Sequence, residues 1–284
     1  MGKISGLIFS ADPIKETLAA AEHLLEFTDE VVIIYAKSYN DYKKLKNDNR
    51  DRRIRIFYAI RLGYPEPFRT YGIMLCKYKN IAMLDVDERF SDTGKAKELL
   101  DSGIADVYSL YRKEGHGEGN KAAYTKQYRL FSKHSIEWRG YLHETPRITG
   151  RKISITKETL YIIHGEGNKG RWHYYELDRV FPVDKPMRIA IREAYVLYSS
   201  GKVHTFGIPA FLMHEYLQSR KEYNGLPEKN KLIIKRLRKQ GIIRYLGLDN
   251  PKKVRMLVEK HKNKEQGIGL LINMLNERYE TEKW

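Results

Sequence analysis

The chain has 284 residues, 42% of them hydrophobic and 12% aromatic, which is enough for one large α/β domain with an additional region. Its net charge of +16 points to an anionic partner (nucleic acid, an anionic membrane surface or a phosphorylated small molecule) or to a highly charged, thermophile-like surface. No apolar run approaches the roughly 20 residues of a membrane span, and no signal peptide is evident. One cysteine, Cys76, excludes an intramolecular disulfide and a multi-cysteine zinc site. We therefore expect a cytoplasmic protein.

The first part of the chain alternates strand-like and helical segments. Apolar, β-branched runs at residues 3–9, 30–35, 54–58 and 81–84 predict four strands, and the segments between them predict helices at 12–27, 38–47 and 65–78. Asp12 and Pro13 form a typical N-cap and N1 pair for the first of these helices. Alternation of this kind is typical of βαβ units in a mostly parallel sheet flanked by helices.

The pattern changes after residue 87. A helix at 95–100 precedes strand-like segments at 106–111, 124–131 and 152–163, whereas three- and four-residue apolar spacing predicts helices at 186–198, 208–219, 228–239 and 251–262. We divide the chain into a main α/β domain, residues 1–170, and a helical C-terminal region, residues 171–284.

An acidic cluster ends the fourth predicted strand. Asp85, Asp87 and Glu88 follow a short buried run, so three carboxylates lie close together where the strand leaves the core. Carboxylates this close repel each other unless a cation neutralises them, and hard oxygen ligands suit Mg²⁺ or Mn²⁺. Asp85 and Asp87 are therefore candidate metal ligands at the edge of the sheet where α/β proteins bind phosphates; the alternative is a solvated acidic turn.

Three further motifs have both a functional and a structural interpretation. His143 and Glu144 offer a metal ligand and a general base, although an isolated His-Glu pair is more often structural. Residues 165–170 match the G-x-G-x-x-G dinucleotide pattern, but their position in the chain and the intervening glutamate favour a loop. The basic segment 229–239 suits an anionic membrane or nucleic acid, or an ordinary surface helix.

Several of these segments, in order, resemble family 2 glycosyltransferases of the GT-A (Rossmann-like) fold, and are similar to the lipopolysaccharide core glucosyltransferase branch. The motifs that carry the resemblance are Ile4 to Asp12, Asp29-Glu-Val-Val-Ile-Ile34, Arg69, Met83-Leu-Asp-Val-Asp-Glu-Arg89, Arg129-Leu-Phe-Ser-Lys133, Gly140-Tyr-Leu-His-Glu144 and His164. They cover roughly residues 3–170. Two positions depart from the family pattern: Tyr35 replaces the usual acid that contacts the donor base, and Thr70 replaces an asparagine.

The resemblance implies an inverting transfer of a sugar from a nucleotide-diphosphate sugar to an acceptor hydroxyl, dependent on Mn²⁺ or Mg²⁺. It assigns Glu144 as the base and His143 as the residue that orients it. It assigns donor binding to the side chains Ser10, Asp12, Arg69, Asp85 and His164, and metal binding to Asp85 and Asp87. The acceptor would be a glycan, a lipid-linked glycan or a protein, and peripheral association with the inner face of the membrane would also use the positive charge.

Two other classes of protein remain open. A nucleotidyltransferase would use the same acids on a parallel sheet but would consume a sugar phosphate and a nucleoside triphosphate. A non-catalytic nucleic-acid-binding protein would explain the net charge directly, but clustered acids would repel the nucleic-acid phosphates. We therefore expect a nucleotide-sugar donor rather than nucleic acid.

Overall fold

The computed structural model describes residues 2–62, 68–113, 124–138, 146–165, 244, 246–263, 270 and 274. These residues fall into two units: strands β1 to β11 and helices α1 to α4 belong to the first, and helix α5 and residues 61 and 62 belong to the second. The proposed domain boundary at residue 170 lies outside the described residues and stays a prediction. Within the described residues, no helix is long and apolar enough to cross a membrane.

The first unit begins with alternating strands and helices. They are β1 (Ile4–Ser10), α1 (Ile14–Leu25), β2 (Glu30–Tyr35), α2 (Tyr39–Asp48), β3 (Ile54–Tyr58), α3 (Arg69–Leu75) and β4 (Asn80–Asp85). Strands β1, β2, β3 and β4 pair in parallel, in the spatial order β3-β2-β1-β4. The four strands predicted from the sequence are confirmed.

The remainder of the first unit is richer in strands. It contains β5 (Glu88–Phe90), α4 (Thr93–Ser102), β6 (Val107–Lys113), β7 (Tyr124–Ser132), β8 (Ile136–Glu137), β9 (Arg147–Ile148), β10 (Lys152–Ser154) and β11 (Tyr161–His164). Strand β7 is antiparallel to both β4 and β6, and β5 is antiparallel to β11. Together these strands extend the sheet to β3-β2-β1-β4-β7-β6-β11-β5, with β10 beside β6.

The fold class expected from the sequence is confirmed for the first unit, which is an α/β structure with a mostly parallel, Rossmann-like sheet flanked by helices. Of the predicted C-terminal helices, the described residues include α5 (Pro251–His261), which lies within the predicted segment 251–262. The other three predicted helices lie outside the described residues.

Two local predictions were wrong. Asp12 is not the N-cap of α1; Pro13 occupies that position without a side-chain cap, and the helix begins at Ile14. The buried Thr17 hydroxyl, in the first turn of the helix, instead donates a hydrogen bond to the Pro13 carbonyl. Residues 152–163 form two strands rather than one, because a turn at residues 156–159 separates β10 from β11, and both lie beside β6.

Helices cover both faces of β1. Ile4 and Ile8 share a buried cluster with Leu24 of α1, and Gly6 faces the same helix residue. The alternate residues of β1, Leu7 and Phe9, contact α3 around Gly72. Because successive side chains of a strand point to opposite faces, a fully buried strand such as β1 needs this cover on both sides.

The closeness of α3 to β1 depends on Gly72. A Cβ atom there would lie 2.7 Å from Phe9 Cζ and 3.0 Å from both Ile34 Cγ1 and Leu7 Cδ1. We expect Gly72→Ala to lower the free energy of unfolding by about 1 kcal/mol, because overpacking exceeds the gain in helix propensity. Urea denaturation measures the change. In the control Gly2→Ala, the added Cβ comes no closer than 3.5 Å to Asn80 Nδ2, so stability should stay the same; a Gly72→Ala protein as stable as wild type would contradict the packing argument.

His23 connects α1 to the end of β5 and predicts a pH dependence of stability. The Phe90 amide donates to His23 Nε2 at 3.1 Å, so this nitrogen must be unprotonated. Burial lowers the pKa of His23, the Glu26 carboxylate opposes this and Arg89 adds to it. Since the unfolded chain takes up the proton more readily, this contribution to stability is complete above about pH 6.5 and is lost as the pH falls below it.

We therefore expect the free energy of unfolding to fall more steeply between about pH 6.5 and 5 in wild type than in His23→Gln. The glutamine oxygen can still accept the Phe90 hydrogen bond but does not titrate. Denaturant unfolding at several pH values provides the comparison. Parallel pH profiles for the two proteins would rule out this role for His23.

Candidate active site

The acids predicted to carry function lie where β4 and β5 meet. Asp85 ends β4, Glu88 begins β5, and residues 86 and 87 alone connect them. The Asp85 amide donates to Glu88 Oε2 at 2.9 Å, and the Arg89 guanidinium donates to the carbonyls of Val86 and Glu88 at 2.9 and 2.6 Å. The connection is therefore bonded to side chains on either side of it, which holds Asp87 in a defined position.

Arginines pair with two of the three acids. Glu88 is completely buried; its Oε1 accepts from Arg129 at 2.7 Å and from Arg112 at 3.1 Å. Arg129, which is 2% exposed, also donates to Asp85 Oδ2. We call Asp85, Glu88, Arg112 and Arg129 the carboxylate–guanidinium cluster. It joins β4, β5, β6 and β7 through charge-assisted hydrogen bonds.

The charges of this cluster reinforce one another. Burial would raise the pKa of Asp85, but the guanidinium groups of Arg129, Arg69 and Arg112 outweigh it and lower that pKa to about 2. Burial also acts to lower the pKa of Arg129, whereas Asp85 and Glu88 raise it by more. Asp85 is thus ionised at neutral pH, and three guanidinium groups accompany two carboxylates.

Asp87 faces a different partner. Its Oδ2 lies 3.3 Å from His164 Nε2, and the two side chains are 32% and 28% exposed. The Gly165 amide donates to the Asp87 carbonyl at 3.1 Å, and His164 pairs with Glu88 in the antiparallel β11–β5 ladder. The backbone pairing therefore places the His164 imidazole beside Asp87, which lies 77 positions earlier in the sequence.

Arg69 lies at the start of α3, near the same edge. Its guanidinium carbon is 4.4 Å from the centroid of the Trp138 ring, which is a cation–π distance. Its charge contributes to the lowered pKa of Asp85. One region of the sheet therefore contains four of the residues predicted from the sequence: Arg69, Asp85, Asp87 and His164.

Ser10 and Asp12 lie after β1, and Tyr35 holds this loop. The Ser10 hydroxyl shares a 2.7 Å hydrogen bond with Thr17 and accepts from the Asp12 amide at 3.1 Å. The Tyr35 hydroxyl donates to the Asp12 carbonyl at 3.0 Å, and burial raises its pKa. Tyr35 is therefore a neutral, fully buried residue that fixes the loop after β1.

The predicted base Glu144 and its neighbour His143 lie outside the described residues. The structure also adds residues that the sequence reasoning left without a role: Glu88, Arg112, Arg129 and Trp138. A signal for Arg129 was present, because a charged residue one position before the apolar pair Leu130-Phe131 in a strand needs a buried partner. Glu88 belonged to the acidic cluster of the sequence, although its burial was not predicted, and Arg112 showed no comparable signal.

The residues present fit a divalent cation in part. Two ligands about 2.1 Å from one metal and at right angles to each other are about 3 Å apart, which is close to the observed Asp87–His164 separation. No group of three or more His, Cys, Asp or Glu side chains with metal-binding geometry occurs in the described part of the chain. A cation here would need further oxygen ligands from a substrate or from water.

Comparison with known proteins adds only weak structural likenesses. No protein-family model matches the chain, and no curated protein matches it. A 4-diphosphocytidyl-2C-methyl-D-erythritol synthase from Anaerococcus prevotii is 16% identical, with a TM-score of 0.34, over 46% of this chain and 72% of that one. HddC from Yersinia pseudotuberculosis is 14% identical, with a TM-score of 0.40, over 64% and 100% of the two chains.

S. aureus TarS is 12% identical, with a TM-score of 0.37, over 91% of this chain and 55% of that one. With identities this low and TM-scores below 0.5, these likenesses carry no argument about function.

The carboxylate–guanidinium cluster predicts a large loss of stability when one partner is removed. Glu88→Gln leaves the buried Arg129 and the partly buried Arg112 with less negative charge, so the free energy of unfolding should fall by about 3 kcal/mol. The control is Glu98→Gln, whose carboxylate is 66% exposed and pairs with Lys95, and it should change stability by less than about 1 kcal/mol. Equal stability losses for the two variants in urea denaturation would contradict the structural role of Glu88.

Proposed function

We propose that this protein is a metal-dependent glycosyltransferase that moves a sugar from a nucleotide-diphosphate sugar to an acceptor hydroxyl, inverting the anomeric centre. The observation that carries the proposal is the Asp87–His164 pair beside an arginine-rich cluster, next to the β1–β4 junction of a parallel sheet. In α/β sheets, ligands bind outside the carboxyl ends of the strands where the strand order reverses. Here β1 leads to β2 and β3 on one side and β4 lies on the other.

The reaction needs the departing diphosphate to be stabilised as its negative charge grows. Asp87 and His164 would hold a Mn²⁺ or Mg²⁺ ion, which when bound neutralises charge on the diphosphate oxygens. Arg69 adds a guanidinium group on the same side of the sheet. Asp85 cannot offer both oxygens to a metal while Arg129 donates to one of them, so Asp87 is the better ligand and Asp85 contributes to donor binding.

The acceptor hydroxyl must lose a proton as it attacks the anomeric carbon. Glu144 is our candidate for the base, with His143 orienting it, by resemblance to the family motif. Ser10 and Asp12, at the carboxyl end of β1, would contact the nucleoside part of the donor. The acceptor class would be a glycan, a lipid-linked glycan or a protein, and the high positive charge suits an anionic donor and peripheral contact with the inner face of the membrane.

A nucleotidyltransferase would use the same edge of the sheet and the same acids. The reaction products separate the two functions, because a nucleotidyltransferase releases pyrophosphate from a nucleoside triphosphate and a glycosyltransferase releases a nucleoside diphosphate. The first experiment is a thermal-shift screen of UDP-, GDP- and dTDP-sugars and the corresponding nucleoside triphosphates, with and without Mn²⁺, since a ligand that binds the folded state raises the melting temperature. A melting temperature that responds only to nucleoside triphosphates would overturn the proposed donor class.

Variants of the metal pair test the site directly. We expect Asp87→Asn and His164→Ala to lower the rate of sugar transfer by about a hundredfold or more while the proteins stay folded, because the diphosphate charge is no longer neutralised. Transfer is measured as release of nucleoside diphosphate, and folding by circular dichroism. Lys95→Gln, on the exposed side of α4, is the control and should keep full activity. Wild-type turnover in Asp87→Asn would remove the metal site from the mechanism.

Glu144→Gln tests the proposed base. The glutamine amide cannot take up the proton of the acceptor hydroxyl at neutral pH. We therefore expect the rate of sugar transfer to fall by about a hundredfold or more while donor binding is retained. Donor binding is measured by thermal shift, and we expect the donor to raise the melting temperature of the variant as much as that of wild type. If Glu144→Gln turns over like wild type, another group is the base.

A further inference from the structure

Strands β6 and β7 present an exposed face on which tyrosines lie among lysines. On β7, Tyr124, Lys126 and Tyr128 are alternate residues, so their side chains leave the sheet on the same side. Tyr111 of β6 pairs with Lys126, which places its ring on that side as well. Two lysines that follow in the chain contact these rings, one from β10 and one from the turn after it. We call the six residues the tyrosine–lysine face: Tyr111, Tyr124, Lys126, Tyr128, Lys152 and Lys157.

Each lysine of this face lies over a tyrosine ring. The Nζ atoms are 5.6, 5.9 and 5.3 Å from the ring centroids in the pairs Lys126–Tyr111, Lys152–Tyr128 and Lys157–Tyr124. All three lysines are exposed, and Tyr124 is 38% exposed. In the described part of the chain, no carboxylate lies within ion-pair distance of these ammonium groups. The rings therefore hold three positive charges on one face without a protein anion to neutralise them.

The tyrosine–lysine face adjoins the candidate active site, because the same strands carry both. Tyr128 is followed directly by Arg129, and Tyr111 by Arg112, and both arginines belong to the carboxylate–guanidinium cluster. Strand β11 lies beside β6 and ends at His164. A long molecule bound along this face therefore has its end next to the proposed metal pair.

We propose that the tyrosine–lysine face binds an anionic glycan, a sugar chain that carries carboxylate or phosphate groups, as the acceptor of the transfer reaction. This inference rests on the proposed function, because it assigns the acceptor class of the same site. The ammonium groups pair with the anionic groups of the chain, and the tyrosine hydroxyls exchange hydrogen bonds with its sugar hydroxyls. The arrangement selects a charged glycan over a neutral one, since a neutral chain leaves the three lysines unpaired.

The geometry favours a glycan over nucleic acid or a membrane surface. Single-stranded nucleic acids stack their bases on open aromatic rings, whereas here an ammonium group lies over each ring. The Tyr111 and Tyr124 rings also meet edge to face, with 87° between their planes, so they form no flat platform. Membrane-surface sites insert large apolar side chains, but Tyr124 is the one large hydrophobic residue that is more than about one-third exposed among the described residues of this face.

Binding of charged and uncharged glycans to the full chain tests the proposal. The probes are oligogalacturonate and phosphorylated dextran, and each is compared with its uncharged form, methyl-esterified oligogalacturonate or plain dextran, by isothermal titration calorimetry. We expect a charged glycan to bind about tenfold or more tightly than its uncharged form, and the difference to shrink as salt screens the charges. Equal affinities for the charged and uncharged forms, or no binding of either charged glycan, would overturn the proposal.

A triple substitution locates the binding surface. The variant Lys126→Gln/Lys152→Gln/Lys157→Gln should bind the charged glycan about tenfold more weakly than wild type, because three ion pairs are lost. The control removes the same charge from three exposed lysines of α2, with the substitutions Lys43→Gln, Lys44→Gln and Lys46→Gln, and should lose much less affinity. Melting temperatures check that both proteins are folded. Equal losses in the two variants would show that net charge alone attracts the glycan and would overturn the assignment.

The wild-type protein provides a second measurement that needs no variant. A bound charged glycan should slow the acetylation of Lys126, Lys152 and Lys157, followed by mass spectrometry, and leave the lysines of α2 unaffected. Protection of other lysines instead, such as those of the basic segment 229–239, would overturn the role of this face. A single-stranded oligonucleotide or an anionic lipid vesicle that protects the three lysines more strongly than the charged glycans do would overturn the partner class.

The proposed function and this inference can fail separately. If a nucleotide-sugar raises the melting temperature of wild type but neither charged glycan binds, the inference alone is overturned. If a charged glycan protects the tyrosine–lysine face but no nucleotide-sugar binds, the proposed function fails and the acceptor role fails with it.

Discussion

The ion pairs of Arg129 with Glu88 and Asp85 are the interaction on which the rest of the site depends. A completely buried carboxylate is unstable unless a positive charge and hydrogen bonds compensate for its lost hydration. Arg129 and Arg112 supply Glu88 with both positive charge and hydrogen bonds, and its carboxylate also accepts a hydrogen bond from the Asp85 amide. The four strands that supply these groups are thereby held in one arrangement at the edge of the sheet that carries the candidate site.

This arrangement separates two tasks among neighbouring acids. Asp85 and Glu88 are compensated by guanidinium groups inside the protein, so they do not require a cation to coexist. Asp87, one position away from Glu88 but about one-third exposed, points to His164 instead. The three acids therefore divide between an ion network, in which Glu88 is buried and the Asp85 side chain is 36% exposed, and the Asp87–His164 pair beside it.

The edge of the sheet also combines rigidity with charge. Gly72 lets α3 approach β1 closely, and this packing fixes the position of Arg69, the first residue of α3. Tyr35 fixes the loop after β1 through its hydroxyl, and the Trp138 ring supports the Arg69 guanidinium. These contacts hold the positive charge of Arg69 in a fixed position beside the candidate site, which is the preorganisation that the proposed diphosphate site would need.

Periodicity and composition alone were enough to determine the four parallel strands, the α/β class and the position of the acids after β4, because these depend on local patterns of apolar residues and on the end of a buried run. Asp85 and Asp87 were found as candidates from the acidic cluster, whereas Arg69 and His164 came from the family resemblance. Which acid pairs with which base was decided only by the tertiary structure. Arg129 reaches Asp85 across the antiparallel β4–β7 pair, and His164 reaches Asp87 through the β5–β11 ladder. Both contacts join residues more than 40 positions apart, and no local pattern encodes the strand order that brings them together.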